Sequence, residues 1–413
     1  MPTSRHPKCL VQLGGIDGLR TGQAVTEHRR WGLFLVAAAV IAATAAGVAA
    51  TPNRPSSDIA ALRICSHFAP LRPATGHRYV ILQAWEYRRM RAIKKRSPAT
   101  KVLVSKDMAS TRDDAPRADV LPTGVGYRFA NQHHPEWFLK DTNGRRVSWA
   151  DWPHSWQMDV GSSSYQRVWA ANVGAELRRR GWDGVFVDGI SRTMQYPWYL
   201  DGRVLAKYPG PDDYARASTS FLRRVGPVLR KRHLLVVGNI NDAPLPLWRQ
   251  WVGYLSGASK EWWTKAGRGR GEGLLTGDDW AFQTRLLRAA QARSKIFVAI
   301  TSGPADDVAS MQYARASFLL FARGRRSAFT YSTGCGPEPA VRYWRENVGT
   351  PLGGPASVAG IWRRKFTGGI VVVNPSGGLT LTAALGGTYL KPDGSFAAAV
   401  VLPPHTGLVL RRP

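Results

Sequence analysis

From residue 78 onward the chain alternates short, nearly continuous apolar runs with longer stretches whose apolar residues recur at helical spacing. The runs are RYVILQAW (78–85), KVLVSKDM (101–108), WQMDV (156–160), DGVFVD (183–188), HLLVVGN (233–239), VGYLSGASKE (252–261), KIFVAITSG (295–303) and RSAFTYS (326–332). Helices are predicted between and after them over 86–98, 163–181, 212–231, 244–251, 279–293, 306–323 and 339–347. The second has serine at its start and glycine at its end, the usual helix punctuation. Continuous apolar strands alternating with helices describe a parallel sheet covered on both faces. Eight such units over about 270 residues predict an α/β fold of the (β/α)8, or TIM-barrel, type. A doubly wound sheet is the alternative, but no GxGxxG fingerprint follows the first strand.

The rhythm places the barrel over 78–350. From about 355 it gives way to short alternating strands split by Gly-Gly, Pro-Asp-Gly and Pro-Pro, which predict a small antiparallel β domain over 355–413. Residues 51–77 are irregular and read as a linker. Ahead of them, Arg29 and Arg30 precede an Ala-rich apolar run over 31–50 that ends Val48-Ala49-Ala50. The run suits either a cleaved signal peptide or an uncleaved anchor. Residues 1–30 would then be a basic leader held on the cytoplasmic side. The expectation is a protein secreted, or anchored to the outer face of the cytoplasmic membrane, that touches the membrane only through 31–50.

Composition narrows the partners. The chain has 413 residues, 57 basic against 28 acidic, for a net charge of +29. That excess favours acidic partners such as anionic or cell-wall glycans. Nucleic acid is disfavoured, because no basic–aromatic module is recognisable and export argues against it. Sixteen tryptophans serve the core and also offer flat platforms for sugar rings. Of the three cysteines, Cys65 and Cys335 could pair after export, and no CxxC spacing suggests a zinc site. GxxxxGK[ST], HExxH and GxSxG are all absent, and nothing requires a metal or organic cofactor. The oligomeric state is left open.

In a (β/α)8 barrel, function sits at the C-terminal ends of the strands. There the chain places Gln83 and Trp85, Lys106 and Asp107, Asp159, Asp188, Asn239, Glu261 with Trp262 and Trp263, and Tyr331. Asp188 closes the fourth predicted strand and is followed at once by Gly189. Two carboxyls on separate strands, flanked by aromatic and amide side chains, are what hydrolysis of a glycosidic bond needs: one protonates the leaving oxygen, the other attacks or activates water. Asp188 is the candidate nucleophile and Glu261 the candidate general acid/base, with the two roles exchangeable. Gln83, Trp85, Asp107, Trp156, Asp159, Asn239, Trp262, Trp263 and Tyr331 are candidate substrate-binding residues. The adjacent His133 and His134 have poor geometry for a shared metal and read as loop residues. GRGRGEG (267–273) reads as a flexible loop.

The blocks HPEWFLKDTNGRR, WQMDVGSSSYQ, GWDGVFVDGI, YLSGASKEWW and FTGGIVVVNPS, in that order, resemble glycoside-hydrolase-like family 15. This is a bacterial family of TIM-barrel hydrolases, distantly similar to glycoside hydrolase family 114, the endo-α-1,4-polygalactosaminidases. The resemblance runs from about Tyr79 to the C-terminus and implies a glycosidase acting on a polysaccharide. The family usually shows paired acids before aromatic residues after strand six, whereas this chain has Lys260-Glu261-Trp262. A glycan-binding barrel without catalysis is the rival reading. What separates the two is whether Asp188 and Glu261 face one cleft.

Overall fold

The computed structural model describes residues 58–63, 76–115, 121–150, 152–194, 200, 202–334, 344, 345 and 347–413. All of them lie in one unit, Ala50–Pro413. Eight parallel strands close into a barrel: β1 Ile59–Arg63, β2 His77–Leu82, β3 Lys101–Asp107, β4 Gly184–Ile190, β5 Leu235–Ile240, β6 Gly257–Lys260, β7 Ile296–Ser302 and β8 Ser327–Ser332. Closure comes from β1 pairing with β8, Ile59 opposite Phe329. The main described helices are α1 Tyr87–Arg96, α2 Ser163–Arg180, α3 Pro211–Arg230, α4 Leu245–Tyr254, α5 Gly277–Ala292 and α6 Val308–Phe321.

Two expected elements changed place. The segment read as a linker contains β1, so the barrel starts at Ile59 rather than at 78. The run 156–160 is not a barrel strand. Ser155–Gln157 pairs antiparallel with Ser110–Arg112 in a small ribbon beyond the end of β3. The two changes offset each other, and Asp188 remains on the fourth barrel strand. The expected strand 252–261 is shorter because Trp248, Trp251, Val252 and Leu255 continue a helical stripe; α4 runs to Tyr254 and β6 begins at Gly257. The leader, the 31–50 segment, the Cys65–Cys335 pairing and nearly all of the helix expected at 339–347 lie outside the described residues.

Helix ends follow the expected chemistry. Ser162 Oγ accepts from Tyr165 N–H at 3.4 Å to cap α2, and Gly181 closes it at φ 85°. Strand alternation then sorts the side chains into two layers. Tyr79, Ile81, Leu103, Phe186, Val237, Val298, Ile300 and Ala328 form a cluster made of strand residues alone, which fills the barrel. Their neighbours Val80, Val102, Val104, Val185, Val187 and Val236 join the larger cluster with the helices.

The C-terminal strands form a six-stranded antiparallel sheet in the order Ala356–Val358, Ile361–Phe366, Gly369–Asn374, Thr406–Arg411, Leu381–Leu390, Phe396–Leu402. One face contributes Val371, Val373 and Val409 to the barrel's outer core, and the other closes over Ile370, Val372, Leu402 and Leu410. Contact with α6 is close: a Cβ at position 407 would lie 2.8 Å from that of Ala316, so only glycine fits there. Buried Arg364 donates to the carbonyls of Leu319, Leu320 and Ala322 at 3.0, 3.1 and 2.8 Å, capping the C-terminal end of α6.

Candidate active site at the barrel mouth

Side-chain parity selects what enters the mouth. Two residues beyond Phe186 is Asp188, two beyond Val237 is Asn239, and four beyond Leu103 is Asp107; all three point inward. Ser259 is the register partner of Asn239 and donates to its Oδ1 at 3.0 Å, which fixes the inward parity of β6 and carries it on to Glu261. Asp107 and Asp188 are register partners on adjacent strands. Four residues expected at the site, Asp107, Asp188, Asn239 and Glu261, are therefore brought together.

Hydrogen bonds fix their orientation. Asn239 Nδ2 donates to Asp188 Oδ1 at 3.0 Å. Its Oδ1 is occupied by Ser259 and, at 3.3 Å, by Asn241 Nδ2, so the amide cannot turn over without losing both. Asn241 Oδ1 in turn accepts from the Glu261 N–H at 3.0 Å. Asp107 accepts from the Ala109 N–H at 2.7 Å and Ser110 Oγ at 2.6 Å. The Gly189 N–H donates to Asp188 Oδ1 at 2.9 Å. Gly189 has φ 74°, and a Cβ there would sit 2.4 Å from Asp107 Oδ1. The Asp-Gly step thus lets the backbone turn and leaves room for the neighbouring carboxyl.

Two of the acids are shifted by burial and by their neighbour Asp188. Burial, and then the charge of Asp188, push the Glu261 carboxyl up to about 7. A hydrogen bond from Asn239, then Arg268 and Lys260, pull it the other way. Asp107 is pushed up to about 6, again by burial first and Asp188 second. Asp188 is thus the second cause, after burial, of the upward shift at both neighbours.

Other expected residues lie elsewhere. Lys106, one residue off the inward parity, is fully buried behind the barrel wall, where it pairs with Glu176 on α2 at 2.6 Å. Lys260 likewise turns outward, to the Asn241 carbonyl. Tyr331 is outward as well: it belongs to the helix-layer core, and its hydroxyl donates to the Pro304 carbonyl at 3.2 Å. Trp263 is 0% exposed, packs on Phe297 and donates to the Ala314 carbonyl, so it is a core residue rather than a sugar platform. Trp262 is 40% exposed and immediately follows Glu261. Asp159 is on no barrel strand; the Lys207 ammonium, the Tyr208 hydroxyl and the Gly161 N–H take up its carboxylate. Gln83 continues the inward parity of β2 and is buried, with its N–H donating to Glu86 Oε2 at 3.0 Å. Trp85 and Trp156 are partly covered against the outer core, and Trp156 Nε1 donates to Asp113 Oδ2 at 2.8 Å. His134 stacks on Trp137 with 3.8 Å between ring centroids.

Arg268 was not anticipated. It lies in the glycine-rich loop after β6, which is more tied down than expected: the Gly269 N–H donates to Glu272 Oε2 at 2.6 Å and the Gly271 N–H to Asp307 Oδ2 at 3.0 Å. No spacing in the sequence relates Arg268 to Glu261; the loop's path does. Among the described residues no group of three or more His, Cys, Asp or Glu is arranged to hold a metal ion. None of the helices among them is long and apolar enough to cross a membrane.

The inward carboxyls thus stand at the C-terminal ends of separate strands of a closed (β/α)8 barrel, the end at which barrels of this type carry their function. The chain belongs to hypothetical glycosyl hydrolase family 15, whose model matches residues 94–370. Among solved structures, the glycoside hydrolase domain of PelA from Pseudomonas aeruginosa is 16% identical, with a TM-score of 0.46 over 68% of this chain and 96% of that one. Aspergillus fumigatus Ega3 in complex with galactosamine is 11% identical, with a TM-score of 0.43 over 69% of this chain and 94% of that one. The maltogenic α-amylase AmyB from Thermotoga neapolitana is 9% identical, with a TM-score of 0.47 over 86% and 99%. No curated protein matches the chain.

Proposed function

We propose that the protein hydrolyses glycosidic bonds in a polysaccharide at the barrel mouth, with Asp188 and Glu261 as the reacting carboxyls. The observation that carries this reading is the pairing itself. Strand parity turns both residues inward from separate strands, and Glu261 retains its proton to about 7 beside Asp188, which supports their acting on one bond. That division suits acid catalysis near neutrality. Glu261 gives its proton to the glycosidic oxygen as the bond to the anomeric carbon breaks, and an Asp188 oxygen attacks that carbon. In the second half, the Glu261 carboxylate takes a proton from water, whose oxygen replaces Asp188 on the sugar. Asn239 holds Asp188 on the line of attack, and exposed Trp262 offers a ring face to a sugar.

The net charge of +29 favours an anionic or cell-wall glycan as substrate, and the 31–50 segment favours export. The test is reducing-end release from a panel of neutral and acidic polysaccharides, with Asp188→Asn beside the parent. The expected result is release that falls by at least about 10³-fold in the variant. Undiminished release by Asp188→Asn refutes the assignment. Retention of both proteins on one glycan without release favours the binding reading.

A further inference from the structure

A second constellation lies on the opposite side of the barrel. Lys295 and Arg326 immediately precede β7 and β8, at the N-terminal ends of strands whose C-terminal ends form the mouth. Together with Arg249 on α4, Arg285 and Arg288 on α5, and the loop after α6, they line a cavity of about 790 Å³. Seven of its thirteen lining residues are Lys or Arg and none is acidic.

Helix capping explains only part of this. Lys295 Nζ donates to the carbonyls of Leu255 at 2.5 Å and Gly253 at 3.3 Å, and so serves the C-terminal end of α4. Burial first, and then Arg230, Arg293 and Arg326, hold its ammonium down at about 8. Among the described residues no carboxylate opposes that repulsion. Arg249, Arg285, Arg288, Arg323, Arg325 and Arg326 are exposed, and among the described residues none of their guanidinium groups is in an ion pair or donates to a protein acceptor. Arg285 and Arg288 stand three apart on one helix, a like-charge spacing that costs the isolated helix stability. A concave surface walled by low-dielectric protein concentrates such a field, and guanidinium is the side chain best matched to two-point recognition of carboxylate or phosphate.

We propose that this cavity is an anion-binding site that holds an anionic polysaccharide through its carboxylate or phosphate groups, on the face away from the carboxyls of Asp188 and Glu261. Polysaccharide is preferred to other polyanions because of the reading of the mouth as a glycosidase site; the anion binding itself does not depend on it. Such a site keeps the enzyme on a charged polymer while the mouth works on another stretch.

The test is equilibrium binding of fluorescently labelled polygalacturonate, of dextran of similar length, and of duplex DNA, over a range of salt. The parent should bind polygalacturonate and not dextran. Arg285→Gln/Arg288→Gln should bind roughly tenfold or more weakly, with the slope of log Kd against log salt reduced by about 1 to 2. Arg323→Gln/Arg325→Gln should behave alike. A charge-matched control, Arg167→Gln/Arg223→Gln on the exposed faces of α2 and α3, should retain binding, as should Asp188→Asn. Equal loss in the control would overturn the proposal in favour of diffuse surface charge. Loss in Asp188→Asn would move the binding to the mouth. Tighter binding of DNA than of polygalacturonate at the same salt would refute the polysaccharide. Retained binding by Asp188→Asn alongside retained hydrolysis would refute the mouth assignment and leave the cavity standing.

Discussion

Replacing Glu261 by glutamine should stabilise the protein at neutral pH and leave it unchanged in acid. In the unfolded chain this carboxyl ionises near its ordinary value of 4.5; in the folded protein it is pushed up to about 7, by burial first and Asp188 second. Between those values the folded state binds the extra proton, so stability falls as pH rises and the whole cost is present above about 7. At about 1.4 kcal/mol per pH unit, the interval amounts to about 3 kcal/mol. Glutamine has the shape of the protonated acid and never ionises, so Glu261→Gln escapes that cost. At pH 4.5 the two proteins should melt together. With an unfolding entropy of about 2.1 cal/mol/K per residue over roughly 350 residues, the variant should melt about 4 °C higher at pH 7.5. Scanning calorimetry at the two pH values reads the difference, and the contribution of Asp107, common to both proteins, cancels. Adding Asp188→Asn should shrink the effect, because it removes the second cause of the shift. An equal Tm difference at both pH values, or a less stable variant at pH 7.5, would refute the placement of Glu261 as a half-buried acid that keeps its proton.

Three further outcomes follow from the geometry. Gly189→Ala forces a side chain into a backbone at φ 74° and against Asp107 Oδ1; it should cost about 1–3 kcal/mol in a urea melt and reduce kcat more than KM. Glu176→Gln strips Lys106 of its buried counter-charge; it should cost about 3–5 kcal/mol while leaving the activity of the folded fraction unchanged. Trp263→Ala should cost about 3–5 kcal/mol as a core cavity, whereas Trp262→Ala should melt within about 0.5 kcal/mol of the parent and raise KM.

The barrel was legible because its strands are covered on both faces and so read as continuous apolar runs, separated by helices with recognisable caps. The first strand was not. IAALR is five residues long and sits in a Pro- and Ser-containing stretch; it is held in the barrel by parallel pairing with β2, Ala60 with Tyr79, and with β8 far along the chain, Ile59 with Phe329. WQMDV misled in the opposite sense: its apolar residues are covered by the loops beyond β3 and not by a neighbouring barrel strand. For the site, proximity to a strand end was too coarse a criterion. Asp107, Asp188, Asn239 and Glu261 share the inward parity; Tyr331 does not, and Trp263, two residues beyond Glu261, lies past the end of β6 where the alternation no longer holds, so both went to the core. Arg268 depends on the course of a loop, which no local pattern encodes.

Parity also bears on the lysine before Glu261. Strands β3 and β6 both run into a lysine followed by an acid, Lys106-Asp107 and Lys260-Glu261. In each pair the acid enters the mouth and the lysine passes behind the wall, Lys106 to Glu176 and Lys260 to the Asn241 carbonyl. An ammonium one residue away therefore does little to neutralise its neighbour, and Lys260 ranks behind burial, Asp188, Asn239 and Arg268 among the influences on Glu261. Burial holds Lys260 itself down at about 8. The family resemblance leads one to expect paired acids at 260 and 261, and lysine stands in place of one of them. Because position 260 faces away from the cleft, the exchange changes the packing behind β6 and leaves the number of carboxyls in the mouth unaltered.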